Sequence, residues 1–286
     1  MSPAAAATLP WGRRYLMVRP DHYKVVYRIN PYMHPDRPPD HALAMRQWTG
    51  LVDTLRAVDA QVEVIDGRAD SPDMTFAMNL GMVVRPPGER PGLVVPSRMR
   101  HRERQAETAS ALAAFERLGF EPVELPAGCR FEAGDAFWLG RELVVAHGPR
   151  SDPAAAAALA DVVGLPVVPV RLVRPELFHL DLALCPLPGN AALVCPAAFD
   201  ADSAAALLAR IDQPVLLDAT EAAAFAANAV VVGRVVLMSG AAGAVAERVR
   251  TLGLPVLTVD VSQFELGGGS LRCLTNPLDV DLAAGA

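Results

Sequence analysis

The sequence predicts an α/β fold of five small sheets set pseudo-symmetrically around an axis, a five-bladed α/β propeller, and three observations carry that reading. A unit of apolar-periodic helix, short break and β-branched run recurs five times. Its shared positions, Val62, Val123, Val167, Val215 and Val256, are 61, 44, 48 and 41 residues apart and together fill the chain. Further strand candidates lie between the units, at 93–95, 143–146, 192–195 and 230–238. Strands alternating with helices ordinarily suggest one doubly wound parallel sheet. Several strands per helix instead suit one small sheet per unit.

The first helix is expected over about 41–58, with Ala44, Trp48, Leu51, Val52 and Leu55 at helical spacing, and it leads into a strand at 62–66. The second carries Ala109, Leu112, Phe115 and Leu118, breaks at Gly119 and leads into 122–125. The third takes Asp152 as N-cap and Pro153 as its first residue, breaks at Gly164 and leads into 166–170. The fourth, about 203–211, leads into 214–218; the fifth carries Val245, Val249 and Leu252, breaks at Gly253 and leads into 255–260. Residues 1–286 therefore read as a single domain, with 1–14 expected to be a poorly ordered N-terminal extension.

Composition bounds the function. With 52% hydrophobic residues, the chain can build an extended core, and its net charge of −6 argues against a nucleic-acid surface. The N-terminus lacks the apolar stretch of a signal peptide, and no run approaches the ~18 apolar residues of a membrane span. Four scattered cysteines fit a reducing, cytoplasmic setting better than a disulfide framework. No CxxC, HExxH or phosphate-loop pattern occurs, so neither metal nor cofactor is expected; a homo-oligomer stays open.

Residues able to do chemistry fall in equivalent places, the polar segments just after the unit strands. These are SPDMTFAMN at 71–79, FEAGD at 131–135, FHLD at 178–181, FAAN at 225–228 and GGGSLRC at 267–273. Each piece alone has a plainer explanation. Asp73 can cap a turn, Asn79 and Asn228 can bridge loop backbone, Glu132 and Asp135 can be solvated, and His179 can be a satisfied structural histidine. Together they supply a thiol, an acid/base partner and carboxylates for a cation.

These segments resemble the guanidine-modifying superfamily of dimethylargininase (dimethylarginine dimethylaminohydrolase), arginine deiminase and the amidinotransferases. The likeness runs nearly end to end: MVRPDHYKVVYRINPYM at 17–33, RHRERQAE at 100–107, GPRSD at 148–152, FHLDLALCPL at 178–187, FAANAV at 225–230 and GGGSLRCLTNPL at 267–278 stand in the family's order with the segments above. The resemblance implies the five-bladed pentein propeller and a hydrolase of linear amidines acting on the guanidinium of Nω-dimethylarginine or arginine, through a covalent thiouronium intermediate, to give citrulline plus amine or ammonia. It implies Cys273 as nucleophile, His179 as general acid/base and Glu132 as the group holding the guanidinium. Asp73, Asn79, Asp181 and Asn228 stand at substrate-binding positions, and Arg104 and Arg150 match arginines that hold an α-carboxylate. Asn79 departs from the aspartate of typical dimethylargininases and arginine deiminases. With the HLD triplet at 179–181, it is similar to arginine dihydrolases, which leave ornithine. Amidino transfer and a catalytically silent binding protein are the remaining alternatives.

Overall fold

The computed structural model describes residue 9 and residues 11–85, 91–140 and 142–281. Its strands follow one pattern. Strands β1 (Arg14–Val18) and β2 (Gln61–Ile65) are parallel, Tyr15 opposite Val62, with helix α1 (His41–Ala57) between them. The next three units run β3 (Gly81–Val84), β4 (Gly92–Pro96), α2 (Glu107–Arg117), β5 (Phe120–Pro122); β6 (Ala136–Leu139), β7 (Glu142–His147), α3 (Ala154–Val163), β8 (Val167–Arg171); and β9 (Leu184–Leu187), β10 (Ala191–Val194), α4 (Ala201–Leu208), β11 (Gln213–Leu216). After the short helix α5 (Ala219–Ala223) come β12 (Val230–Val232), β13 (Val235–Ser239), α6 (Gly243–Thr251), β14 (Val256–Val259), the one-turn helix α7 (Ser262–Glu265) and β15 (Asn276–Pro277).

Among the described residues these strands make five three-stranded sheets. In each, an antiparallel strand pairs with the middle strand and a helix returns the chain parallel to it. The first sheet takes its antiparallel member from the far end of the chain: β15 pairs with β1, Leu16 opposite Asn276. The fold is therefore mixed α/β with five small sheets, and the two ends of the described chain share one of them.

Local chemistry explains the helices. Asp40 caps α1 by accepting from the Leu43 amide at 2.9 Å, and Ala44, Trp48, Leu51, Val52 and Leu55 form its buried stripe. Leu51 and Leu55 are fully buried, each contributing about 2 kcal/mol of apolar transfer. Asp218 and Glu221 form a capping box on α5. Gly164 ends α3 in the left-handed region, φ 65°.

Several expectations need correction. Asp152 does not cap α3; Pro153 holds that position, and the Asp152 carboxylate accepts from the Arg130 amide at 2.9 Å instead. The stretch 230–238 is two strands, turned at Gly233 with φ 59°. The extension expected over 1–14 is too long: Trp11 is buried in the core and Arg14 opens β1, while residues 1–8 and 10 lie outside the described residues. No helix among the described residues is long and apolar enough to cross a membrane.

Asn276 ties β15 to the second unit. Its fully buried side-chain amide donates to the carbonyls of Ala77, Met78 and Gly81 at 3.0, 3.3 and 2.8 Å. Asn276→Ala strands those acceptors without water. We expect it to lower the unfolding free energy by about 2 kcal/mol, read from urea denaturation, and an unchanged midpoint contradicts the assignment.

Candidate active site

Each reactive segment occupies the passage from the last strand of one sheet to the first strand of the next. Asp73 and Asn79 lie between β2 and β3, Glu132 between β5 and β6, His179 and Asp181 between β8 and β9, Asn228 between β11 and β12, and Cys273 between β14 and β15. Arg104 and Arg150 come from the loops that lead into α2 and α3. Residues spread over 200 positions of sequence thus meet.

A cavity of about 20 Å³ is lined by Cys273, His179, Asp73, Asn79, Arg104 and Arg150, together with Phe76, Phe178 and the glycines 267–269. Glu132, Asp181 and Asn228 stand just behind that lining, bonded to it. A cavity of about 560 Å³ adjoins it and shares Ile29, Asn30, Arg150 and Phe178.

The nucleophile candidate is held from three directions. The Cys273 thiol donates to Asp181 Oδ2 at 3.3 Å, and its sulfur accepts from Asn228 Nδ2 at 3.2 Å. Asn228 Oδ1 accepts from the amides of Ser270 and Cys273 at 3.2 and 3.1 Å. Burial, and then the Asp181 carboxylate, push the thiol well above its ordinary range, so the free site holds it protonated. Burial also raises Asp181, whose Oδ1 has no protein partner.

Glu132 anchors the histidine. His179 Nε2 lies 2.7 Å from Glu132 Oε2, which also accepts from Arg150 Nη1 at 3.1 Å, while Oε1 accepts from the Arg100 amide at 2.9 Å. Burial opposes this carboxylate's ionisation, yet the Arg150 guanidinium and the His179 bond outweigh it and hold the group below the usual range. Both Glu132 oxygens accept from protein groups, and through Oε2 the carboxylate grips His179. The imidazole keeps Nδ1 free of protein partners.

The arginines are locked in plane. Arg104 pairs with buried Glu107 through Nε at 2.9 Å and Nη2 at 2.8 Å, and it reaches the Asp73 carbonyl at 3.2 Å. Arg150 also donates to the Ile29 carbonyl at 3.0 Å and lies over the Phe178 ring, 4.6 Å from its centroid. Asp73 Oδ2 accepts from the Tyr27 hydroxyl at 2.9 Å and leaves Oδ1 unpartnered. Asn79 Oδ1 accepts from the Gly134 amide at 2.9 Å, which turns its NH2 group away from that bond.

Sequence reasoning left several contributors unassigned. Asp135 accepts from Ser151 Oγ at 2.6 Å and from the Leu180 amide at 3.1 Å, fixing the backbone beside His179. Ser151 in turn accepts from the Glu132 amide at 3.0 Å. The FEAGD motif was visible, but a hydrogen bond across 45 residues of sequence was not. The glycines before Cys273 have a packing reason: a Cβ on Gly269 would lie 2.5 Å from Phe76 and 2.9 Å from Cys273 Cβ, and Gly268 adopts φ 87° under Asn30. Among the described residues, no group of three or more His, Cys, Asp or Glu side chains is placed to hold a metal ion.

Residues 32–280 match the family described as N,N dimethylarginine dimethylhydrolase, eukaryotic. The bifunctional arginine dihydrolase/ornithine cyclodeaminase ArgZ of Synechocystis is 36% identical over 92% of this chain, which spans 37% of that protein's length. The N(G),N(G)-dimethylarginine dimethylaminohydrolase of Mycobacterium tuberculosis is 32% identical over 94% of this chain and 87% of its own. A crystal structure of the N-terminal domain of ArgZ, covalently bound to a reaction intermediate, superposes with a TM-score of 0.87 at 34% identity, covering 94% of this chain and 98% of that domain. The family model's match over residues 32–280 and these relatives lead to one conclusion: the chain belongs to the N,N dimethylarginine dimethylhydrolase family.

Proposed function

We propose that the protein is a cysteine-dependent hydrolase of the guanidinium group of arginine or an Nω-methylated arginine. In this reading its five sheets stand as propeller blades about an axis that carries the site. The observation that carries the reading is the juxtaposition of the Cys273 thiol, 3.3 Å from Asp181, with a Glu132-anchored His179 on the same cavity. The covalently trapped intermediate in the ArgZ domain supports it.

The guanidinium meets the unpartnered Oδ1 atoms of Asp73 and Asp181. Its charge lowers the thiol pKa, and the proton leaves Sγ for Asp181. The thiolate forms a C–S bond to the central carbon, and the C–N bond to the departing amine breaks as His179 protonates that nitrogen. Water, deprotonated by His179, then attacks the thiouronium carbon. The C–S bond breaks, returning the thiolate and releasing a ureido product. Arg104 and Arg150 receive the α-carboxylate, with the larger adjoining cavity as the approach.

Asn79 favours a second reading in which the ureido product is hydrolysed again, giving ornithine, carbon dioxide and a second ammonia. An aspartate there only accepts hydrogen bonds, whereas the amide also donates to a neutral ureido oxygen. The likeness to ArgZ points the same way.

Incubation with arginine and with asymmetric dimethylarginine, quantifying citrulline, ornithine, ammonia and dimethylamine, decides between the two readings. Turnover should fall at least about a thousandfold in Cys273→Ser. Unchanged turnover in that variant, or product only when an amine acceptor is added, overturns hydrolysis. Gly134→Ala places a Cβ 2.7 Å from Asn79 Oδ1 and 3.3 Å from His179 Cγ. We expect it to lower kcat by about tenfold while the protein stays folded.

Asp135 makes a pH prediction. Burial, opposed by His179 and Ser151, raises its carboxyl to about 7. A carboxyl raised on folding adds stability in full below its unfolded pKa and loses it as pH rises through the folded value. The wild-type unfolding midpoint should therefore decline between about pH 4 and pH 7 more steeply than that of Asp135→Asn, measured by thermal melts. Parallel profiles exclude this role.

A further inference from the structure

Arg272, next to the nucleophile candidate, takes no part in the mechanism above, yet it is only 3% exposed. Its amide donates to the Asn228 carbonyl at 3.2 Å, so the residue that grips Cys273 also grips Arg272. The two side chains part from there. Cys273 lines the reaction cavity, whereas Arg272 lines a second cavity with Trp11, Phe137, Trp138 and Asn276. The guanidinium carbon stands 5.2 Å from the Trp11 ring centroid and 4.7 Å from that of Phe137. No protein group accepts from its Nε or Nη1.

An aromatic cage stabilises a cation without neutralising it, because ring faces carry a quadrupole and no net charge. A buried charge without a counter-charge costs stability, so packing alone would be served better by an apolar side chain. In a low-dielectric surrounding, its field reaches the next residue with little screening. Negative charge on Tyr15, Asp181, Cys185 or Cys273 favours the Arg272 guanidinium against burial, and each coupling is reciprocal; at the thiol it is weaker than burial and the Asp181 carboxylate. Tyr15 donates its hydroxyl proton to the Val231 carbonyl, and Cys185 lies in β9, which leaves Cys273 and Asp181 as the groups at the site. Around the thiol itself stand Asp181, His179, Asp73, Arg104, Arg150 and, more distantly, Tyr32. Arg104 is matched by Glu107 and Arg150 by Glu132, so neither brings net positive charge to the sulfur.

We propose that Arg272 is an electrostatic positioning residue for the nucleophile: an unneutralised guanidinium, caged by Trp11 and Phe137 behind the Cys273 loop, that favours the ionised sulfur against burial and the Asp181 carboxylate. This rests on the reading of Cys273 as nucleophile, but its test needs no turnover.

The test is the pH dependence of Cys273 alkylation by iodoacetamide without any guanidino compound, located by peptide mass mapping. It compares wild type with Arg272→Lys, Arg272→Gln and Arg272→Met, each with a thermal melt. Loss of the charge should raise the apparent thiol pKa by about one unit or more in the Gln and Met variants, slowing alkylation roughly tenfold below that pKa. The Lys variant should stay within about threefold of wild type, and the Met variant should melt no lower than wild type. Superimposable titrations in wild type, Gln and Met overturn the proposal. So does a Lys variant that behaves like Met, or loss of folded protein in all three, which assigns Arg272 to structure. Failure of the Cys273→Ser turnover test alone leaves these titrations readable, so the two ideas fail separately.

Discussion

The side-chain amide of Asn228 makes four hydrogen bonds, and through them it sets the geometry on which the site depends. Nδ2 donates to the Asp181 carbonyl at 3.0 Å and to Cys273 Sγ at 3.2 Å, while Oδ1 receives the amides of Ser270 and Cys273. Segments that leave three different sheets are thereby fixed to one another by a single planar group. Both ends of the amide are consumed, so neither can rotate without breaking bonds in a region sealed from water. Replacing it with a group that only accepts or only donates would leave either the two loop amides or the Asp181 carbonyl without a partner.

Around that clamp the protein buries more charge than a structural core needs. Glu132, Arg150, Arg104, Glu107, Asp73, Asp135, Asp181 and Arg272 are each no more than 4% exposed. Half of this charge is matched, Glu132 to Arg150 and Glu107 to Arg104, which limits the desolvation cost. What remains unmatched is informative: two carboxylate oxygens, Oδ1 of Asp73 and of Asp181, suit a cationic ligand, and one caged cation sits behind the sulfur. Such arrangements cost stability and are characteristic of sites that perturb pKa values for a purpose.

The repeat was legible because its helices carry apolar stripes and each helix separates the middle strand of a sheet from the parallel strand that follows. Three of the strands that begin later units, β3, β6 and β9, were not. β6 and β9, Ala-Phe-Trp-Leu and Leu-Cys-Pro-Leu, are buried on both faces and follow directly on one-turn helices, so they show no alternation and no break. β15 is two residues long and exists only because β1 receives it. Among site residues, the reactive types could be found by their placement after each unit, and the family resemblance assigned them. Arg272 escaped because an arginine beside a cysteine carries no mark of burial; only the arrival of Trp11 and Phe137 from distant parts of the chain encloses it. The hydrogen bonds of Glu132 escaped for a related reason, since nothing in FEAGD says that Arg150, His179 and the Arg100 amide converge on it.

In the proposed reaction, Asn79 is the neutral group that alters what the charges around it accomplish. It lines the cavity near Asp73, and its Oδ1 is already bound to Gly134. An aspartate in its place could keep that bond but would add a negative charge, favouring a cation and disfavouring the neutral ureido group that cation becomes after one hydrolysis. With the amide, the affinity of the site falls less as the ligand loses its charge, because Nδ2 can donate to the new oxygen. The fixed Gly134 bond matters here: it holds the amide in one orientation, so the donor faces the same place in both steps. In the proposed reaction the number of nitrogens released is set by the relative retention of cationic and neutral forms of one ligand, with the same sulfur, the same histidine and the same Asn228 clamp proposed to serve both rounds.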